Sequence, residues 1–317
     1  MEVTSRKFFL LLLFASLVFV VFISFFNKQT TVSVTETIIT EKQSTEPEQN
    51  DNLISLIFTG DVMLGRSVMV ETIKANDINY PFLKVTDKLK SADLVFINLE
   101  NPIINNCPVH VGGFKFCSPP TSIDALKNAG INVVTLANNH SSNYGEDGIG
   151  KTVSLLEKNG IAVTGLGNLA IRETKGVKFG FLGFDKSQQA APILSNNEIE
   201  LITSSDKKVD VLVVAMHWGV EYQSTALPGV KQLAKELVDS GADVVVGHHP
   251  HWVQDSEYIN GKPIYYSLGN FVFDQMWSEE TKNGMVVSLV YEQNEIKKEE
   301  KFFTYIKYLG QPEFINN

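Results

Sequence analysis

Short apolar runs alternate with amphipathic stretches from Leu53 onward, and this alternation limits the fold more than any other feature of the chain. Short apolar runs are typical of buried strands, whereas amphipathic stretches that end near Gly or Asn are typical of helices. Strands that alternate with helices predict an α/β layered domain. The expected strands cover 54–58, 94–98, 133–136, 162–164, 177–183, 209–216 and 244–247, and the expected helices cover 82–90, 122–128, 148–159 and 230–240.

The pattern changes to strands alone after His251. The expected strands here cover 252–258, 263–267, 270–273, 284–291 and 301–308. We expect this β-rich part to pair with the first half and to form a second sheet in the same domain. The folded domain is therefore predicted to cover 53–310, with a short C-terminal tail over 311–317.

The amino terminus carries an apolar run without charge over 8–26. At about 1.5 Å per residue this run reaches roughly 28 Å, which is close to one bilayer crossing. No small-residue cleavage site follows it, so an uncleaved transmembrane helix is favoured over a signal peptide. Arg6 and Lys7 precede the run, which predicts a cytoplasmic tail over 1–7 and an extracytoplasmic domain. The polar segment 27–52 is expected to be a flexible linker, so the chain is predicted to be a single-pass protein of the cell membrane.

Charge and cysteine content exclude several classes of protein. The chain has 27 Lys and Arg against 36 Asp and Glu, a net charge of −9, which argues against nucleic acid as a partner. Cys107 and Cys117 lack the paired spacing of a thiolate zinc site. In an oxidising compartment they are expected to close a short loop by a disulfide, and in a reducing compartment they would remain two thiols.

Polar side chains cluster directly after the strand candidates. In an open α/β sheet the carboxyl ends of neighbouring strands meet at one crevice, so these loops are expected to face one another. The side chains include oxygen and nitrogen donors without thiolate, a set that suits Mn, Fe or Zn ions. Two ions fit the number of donors better than one, and we expect one or two divalent ions. The candidate metal ligands are Asp61, Glu100, Asn139, His217, His249 and His251.

Other residues near these loops are candidates for catalysis or substrate binding. His140 follows Asn139 and is the candidate general acid or oxyanion donor. Arg66 is a candidate for binding a carboxylate or phosphate, the alternative being an ordinary surface ion pair. Asn98 is a further candidate for substrate contact. Asn270 either contacts the substrate or the ligand loop, or only shapes a turn. Taken alone, an Asp in the position of Asp61 is more often a turn or helix cap, and a His in the position of His217 is more often a core histidine than a ligand.

The motifs as a set resemble a known family. They resemble the bacterial capsule synthesis family known as CapA, or PgsA in poly-γ-glutamate production, within the calcineurin-like metallophosphoesterase superfamily. The resemblance covers roughly 55–273 and implies a four-layer α/β/β/α sandwich of two mixed sheets. It also implies membrane attachment and work outside the cell on poly-γ-glutamate or a related anionic polymer, beside the membrane subunits of a capsule synthase. The motifs are 59–66, 98–100, 138–140, 217–222, 247–251 and 266–273.

Three positions depart from the pattern of the superfamily. The first strand loop usually reads Asp-x-His, but Met63 stands at the histidine position, and a thioether is a poor ligand for a hard divalent ion. Glu100 stands where an aspartate usually bridges two ions, and His248 stands where glycine is common and is not an expected ligand. The resemblance thus leaves three functions open: a phosphoesterase-like hydrolase, a non-catalytic binding or assembly subunit, and a metal-dependent hydrolase of the polymer.

Overall fold

Two mixed β-sheets form the centre of the α/β fold in the computed structural model, which describes residues 52–187, 189 and 192–315. Sheet 1 has the strand order β14-β13-β12-β1-β2-β3-β4, with β11 pairing alongside β1, and sheet 2 has the order β5-β6-β7-β8-β10-β9. The strands are β1 (Leu53–Val62), β2 (Leu94–Leu99), β3 (Val133–Thr135), β4 (Ala162–Thr164), β5 (Ala170–Thr174), β6 (Val177–Asp185), β7 (Val211–His217), β8 (Val244–His248), β9 (Ser256–Ile259), β10 (Lys262–Tyr265), β11 (Asn270–Val272), β12 (Asn283–Glu292), β13 (Glu295–Tyr308) and β14 (Gln311–Ile315).

Helices connect the parallel strands of both sheets. The amphipathic stretches form them because one face of each helix packs on a sheet. One helix has a full capping box, in which Ser195 and Glu198 each bond the backbone of the other. The helices are α1 (Arg66–Ala75), α2 (Thr86–Lys90), α3 (Ser122–Asn128), α4 (Gly145–Lys158), α5 (Asn196–Asp206) and α6 (Pro228–Asp239), with a 3₁₀ turn at Glu280–Lys282.

Three apolar cores hold the sheets and helices together in layers. One core joins β1 and β2 to helices α1 to α4, and its members include Ile57, Val95 and Leu126. The second core lies between the two sheets and contains Phe58 of β1 and Phe181 of β6. The third joins the other face of sheet 2 to α5 and α6. The sheets therefore pack face to face, with helices covering each outer side.

The two mixed sheets confirm the expected α/β class, but the β-rich part behaves differently from the expectation. It pairs with the first half as expected, but it does not form one second sheet, because β12, β13 and β14 extend sheet 1 whereas β9 and β10 extend sheet 2. The expected tail over 311–317 is wrong for Gln311–Ile315, which pairs with β13 as an antiparallel strand. Strand β5 and helices α1 and α5 were not expected from the sequence pattern.

The expected transmembrane segment 8–26 and linker 27–52 lie outside the described residues, apart from Asn52. Among the residues that are described, none of the helices has the length and hydropathy required to cross a membrane.

Candidate metal centre

The carboxyl ends of five strands open onto one buried pocket. Strands β1, β2 and β3 bring Asp61, Glu100 and Asn139 from sheet 1, and strands β7 and β8 bring His217 and the 248–251 loop from sheet 2. The parallel register places Asp61 level with Asn98 and His217 level with His248. The structure therefore brings together the residues that the sequence placed in separate loops.

Asp61 lies at the centre of the pocket and is fully buried. Its Oδ1 accepts hydrogen bonds from Nδ2 of Asn98 and Nδ1 of His248, each at 2.9 Å, and its Oδ2 lies 3.3 Å from Nδ1 of His251. Burial alone would raise the pKa of Asp61, but the hydrogen bonds and charges of His248 and His251 outweigh it and hold the pKa well below its usual value. Asp61 is thus an anionic group at the base of the pocket.

Glu100 is a second fully buried carboxyl group beside Asp61. Its Oε1 accepts from Nδ2 of Asn98 at 3.0 Å, whereas its Oε2 is buried and has no hydrogen-bond partner. Burial, and then the charges of Asp61 and Glu221, raise the pKa of Glu100 well above its usual value. Two adjacent buried carboxyl groups with an unsatisfied oxygen favour a bound cation.

His217 and Asn139 face each other across the two sheets. Nε2 of His217 lies 3.1 Å from Oδ1 of Asn139, and Nδ1 of His217 lies 3.8 Å from Oε1 of Glu100. Burial, followed by the charge of His249, holds the pKa of His217 well below its usual value, so the imidazole is neutral and able to bind a metal. The contact with Asn139 is a hydrogen bond in which Nε2 of His217 donates, because the amide oxygen of Asn139 only accepts.

The loop after β8 carries His249 and His251 in an unusual backbone conformation. Both residues have positive φ, 97° and 58°, in the region that side-chain-bearing residues rarely adopt. Strain of this kind is typical of functional sites, where the surrounding structure holds it. The ring centroid of His249 lies 4.7 Å from that of His217 and 6.3 Å from that of His251. Burial lowers the pKa of His249 as well.

Asn270 determines which nitrogen of His251 is free. Its amide nitrogen donates to Oε1 of Gln275 and to the carbonyl of Thr281, so its Oδ1 must be the acceptor that lies 2.9 Å from Nδ1 of His251. Nδ1 of His251 therefore carries the proton and Nε2 has the free lone pair. In the same way Nδ1 of His248 donates to Asp61, while its Nε2 is buried without a partner.

His140 stands at the edge of the pocket on the ring of Phe116. The two rings are stacked with centroids 4.0 Å apart, and Nδ1 of His140 lies 3.4 Å from Oδ1 of Asn143. Burial lowers the pKa of His140 to about 4. A neutral imidazole beside the candidate ligands is able to accept a proton or donate a hydrogen bond.

Arg66 is buried in an ion pair rather than free on the surface. Its guanidinium pairs with Asp274, donates from Nη1 to the carbonyl of Gly113 at 2.7 Å, and lies 4.4 Å from the centre of the Phe116 ring. Both terminal nitrogens of Arg66 therefore have partners within the chain. The alternative considered for Arg66 was an ion pair at the surface. The ion pair is present, but it is buried.

The side chain of Met63 does not replace the histidine that usually stands at its position. Its sulfur accepts a hydrogen bond from the backbone N–H of Gly65 at 3.1 Å, and the residue is fully buried in the core that joins sheet 1 to its helices. Sequence reasoning did not assign a role to Glu221. In addition to burial, the charge of Glu221 acts on the pKa values of Glu100, His140 and His249, and the ring of the next residue, Tyr222, stacks on that of His251 with centroids 6.1 Å apart.

The residues present fit a divalent cation. One ligand atom from each of Asp61, Glu100 and His251 lies within 4.8 Å of the other two, and all three residues are buried. The donors are carboxylate oxygens, an amide oxygen and imidazole nitrogens, the types that bind Mn, Fe and Zn. The unpartnered Oε2 of Glu100 is the atom that such an ion would satisfy.

Comparison with known proteins identifies the family. The model of the family described as bacterial capsule synthesis protein PGA_cap matches residues 55–275. The chain belongs to this family. It is 32% identical over 274 residues to the capsule biosynthesis protein CapA of Bacillus anthracis, a match that covers 78% of this chain and 66% of that protein. It is also 32% identical over 260 residues to the PGA biosynthesis protein CapA of Bacillus subtilis, covering 75% and 68%. The chain thus spans about two thirds of the length of these relatives, and the expected resemblance to the CapA family is confirmed.

Solved structures show the same fold. A hypothetical protein from Thermus thermophilus superposes with a TM-score of 0.53 at 16% identity, over 79% of this chain and 98% of that one. A structure described as a novel phosphatase, from Mycoplasma pneumoniae, superposes with a TM-score of 0.52 at 17% identity, over 79% and 93%. At these identities the likeness concerns the fold alone.

Proposed function

We propose that this protein is a membrane-anchored, extracytoplasmic CapA-type protein that supports the biosynthesis, export or tethering of poly-γ-glutamate or a related anionic polymer, and that it binds one or two divalent ions. The observation that carries the proposal is the convergence of six candidate ligands from five strand ends on one buried pocket. Membership of the capsule synthesis family supplies the polymer. The curated relatives named above are themselves described by capsule or PGA biosynthesis.

The pocket has the groups that a metal-dependent site needs. The ion would be held by the ligand set named above and would polarise a phosphoryl or carbonyl oxygen of the substrate. Asn98 and His248 fix the orientation of Asp61 through hydrogen bonds to its Oδ1. His140 has a neutral imidazole at the edge of the pocket, where it would donate to or accept from a substrate oxygen.

The anchor completes the proposal. The apolar run 8–26 would hold the chain in the cell membrane as a single span, with 1–7 in the cytoplasm and the linker 27–52 outside. Such an arrangement would place the four-layer sandwich beside the membrane subunits of the capsule synthase. Arg66, Asn98 and Asn270 were candidates for substrate contact, but all three are buried and bonded within the chain, so we propose that they position their neighbours instead.

A second candidate function is a non-catalytic assembly subunit of the capsule machinery. The specific observation in its favour is Met63, which leaves one ligand position of the superfamily without a donor. A site with fewer donors would hold one ion with a structural role rather than two with a catalytic one.

Metal analysis of the purified full chain tests the proposal. We expect one or two divalent ions per chain, and we expect His249→Ala with His251→Ala to lose them and to remove the polymer from cells that depend on this protein. His110→Ala is the matched control, because the Nδ1 of His110 contacts the carbonyl of Pro108 outside the pocket. A chain without metal, together with normal polymer in the double variant, would exclude the metal site. Metal-dependent turnover of an aryl phosphate, lost in His140→Ala, would exclude the assembly subunit.

A further inference from the structure

The loop closed by the disulfide between Cys107 and Cys117 exposes three apolar side chains at its tip. The exposed fractions of Val109, Val111 and Phe114 are 61%, 69% and 83%. Isolated apolar residues are common on protein surfaces, but here three lie within six residues on one closed loop. We call these three residues the loop tip.

The loop tip is held against the body of the domain. Gly112 and Gly113 have positive φ, 72° and 79°, and turn the chain at the tip. The carbonyl of Gly113 accepts from Arg66 at 2.7 Å, and the N–H of Phe116 donates to Oδ1 of Asn143 at 2.6 Å. A loop fixed at both ends loses little conformational entropy when its tip binds a partner.

The charge around the loop tip differs from that of the whole chain. Residues 101–123 contain no Asp or Glu, although the chain carries a net charge of −9. Lys115 is exposed beside the tip, with its Nζ 4.4 Å from the centre of the Tyr144 ring. An apolar tip on a segment that carries a lysine and no carboxylate of its own matches an anionic lipid surface.

A second exposed aromatic residue, Trp277, follows a segment that contacts the same arginine as the loop. The guanidinium of Arg66 binds both Gly113 and Asp274, so the loop and the segment leading to Trp277 meet at one side chain. Trp277 is 59% exposed and packs edge-on against Tyr222 with ring centroids 4.7 Å apart. Tryptophan is typical of the boundary between lipid and water.

We propose that the loop tip, with Trp277, docks on the anionic bilayer to which the chain is anchored, so that the metal pocket opens toward the membrane surface. This inference rests on the anchor of the proposed function. The linker allows the orientation. Strand β1 begins at the end of the sheet opposite to the pocket, roughly 26 Å from Asp61 at about 3.3 Å per residue, and 26 residues span at most about 90 Å. A chain of carboxylates would gain nothing from apolar side chains, so lipid is favoured over the polymer as the occupant.

Depth-dependent fluorescence of the full chain in vesicles tests this docking. Phe114→Trp and the matched control Ile171→Trp, which is 45% exposed on strand β5, are reconstituted in phosphatidylcholine and phosphatidylglycerol with and without brominated acyl chains. We expect the added fluorescence of Phe114→Trp to be blue-shifted and at least twofold more quenched by brominated lipid than that of Ile171→Trp. Hydrogen exchange of 107–117 is expected to slow in vesicles relative to detergent, and to lose this slowing when Val109, Val111 and Phe114 are all changed to Ser.

The outcomes separate docking from the other proposals. If the chain floats with vesicles but Phe114→Trp is no more quenched than Ile171→Trp, docking is wrong and the anchor stands. If the chain does not float, both are wrong. A blue shift in detergent that grows with protein concentration would identify a second copy as the occupant, and a shift caused by added poly-γ-glutamate would identify the polymer; either result overturns docking on lipid. Docking does not depend on the metal, so we expect the same quenching of Phe114→Trp when His249 and His251 are also changed to Ala.

Discussion

Nδ1 of His251 and Oδ1 of Asn270 lie 2.9 Å apart, and this contact sets the free lone pair of the histidine. We predict that Asn270→Ala lowers the affinity for the divalent ion about 10- to 100-fold while the fold remains, because the imidazole loses the group that orients it. Calorimetric titration with Mn²⁺ measures the change. Asn128→Ala is a matched control, since Asn128 bonds the side chain of Asn79 at the surface. Equal affinities in the two variants would contradict a positioning role for Asn270.

The substitution Glu100→Gln is expected to have opposite effects on the stability of the metal-free and the metal-loaded protein. Glu100→Gln removes a carboxyl group that is buried beside Asp61, so the metal-free protein is expected to be at least as stable as the wild type. The wild type should gain about 2.7 kcal/mol of unfolding free energy at a metal concentration 100 times Kd, and the variant should gain much less. Urea unfolding with and without Mn²⁺ measures both effects. A variant that gained as much as the wild type would show that Glu100 is not a ligand.

The backbone at Gly60, one residue before Asp61, packs closely against the backbone of Leu268 and Gly269. A Cβ at this position would lie 2.1 Å from the carbonyl oxygen of Gly269, so Gly60→Ala is expected to cost more than about 3 kcal/mol or to prevent folding. Gly150→Ala is the matched control, because a Cβ there meets nothing within 4 Å and alanine favours the interior of helix α4 by about 0.5 to 1 kcal/mol. Urea midpoints and soluble yield compare the two. Similar stability in both variants would contradict the packing described here.

The disulfide predicts a loss of stability that is independent of the metal. The bridge closes a loop with a sequence separation of 10 residues. Replacing Cys107 and Cys117 by Ser is expected to lower the free energy of unfolding by about 2 to 3 kcal/mol, because the unfolded chain regains loop entropy. Urea unfolding of the wild type with and without a reductant, beside the double variant, measures the effect. A reductant that also destabilised the double variant would show another cause.

The lowered pKa of Asp93 is expected to account for part of the stability that the fold loses at acidic pH. Burial alone would raise the pKa of Asp93, but hydrogen bonds from Ser55 and the ion pair with Lys175 lower it from its usual value. A depressed carboxyl pKa stabilises the fold above the unfolded-state pKa of about 4, and this contribution is lost as the pH falls through the lower folded-state value. Asp93→Asn should therefore be less stable than the wild type at pH 7, and the difference should shrink below about pH 4. Urea midpoints from pH 7 to pH 3 check the sign, and a constant difference would contradict it.

The sequence predicted the strand ends that carry chemistry because apolar strands and polar loops alternate in a local pattern. It did not predict that His248 donates to Asp61 or that Arg66 pairs with Asp274, because these partners are 187 and 208 residues apart. The role of Met63 was also hidden, since only the fold shows that its sulfur bonds Gly65. Strand β14 was missed because its antiparallel pairing with β13 decides it, not the composition of Gln311–Ile315.

The division of the ligand set between the two sheets has a consequence for folding. Asp61, Glu100 and Asn139 belong to one sheet, and His217, His249 and His251 follow strands of the other. An ion bound by ligands from both groups would link the two sheets at the edge where their strands end. Such an ion would add to the apolar core that already joins the sheets, so a protein deprived of metal would keep its layers but hold them together less firmly.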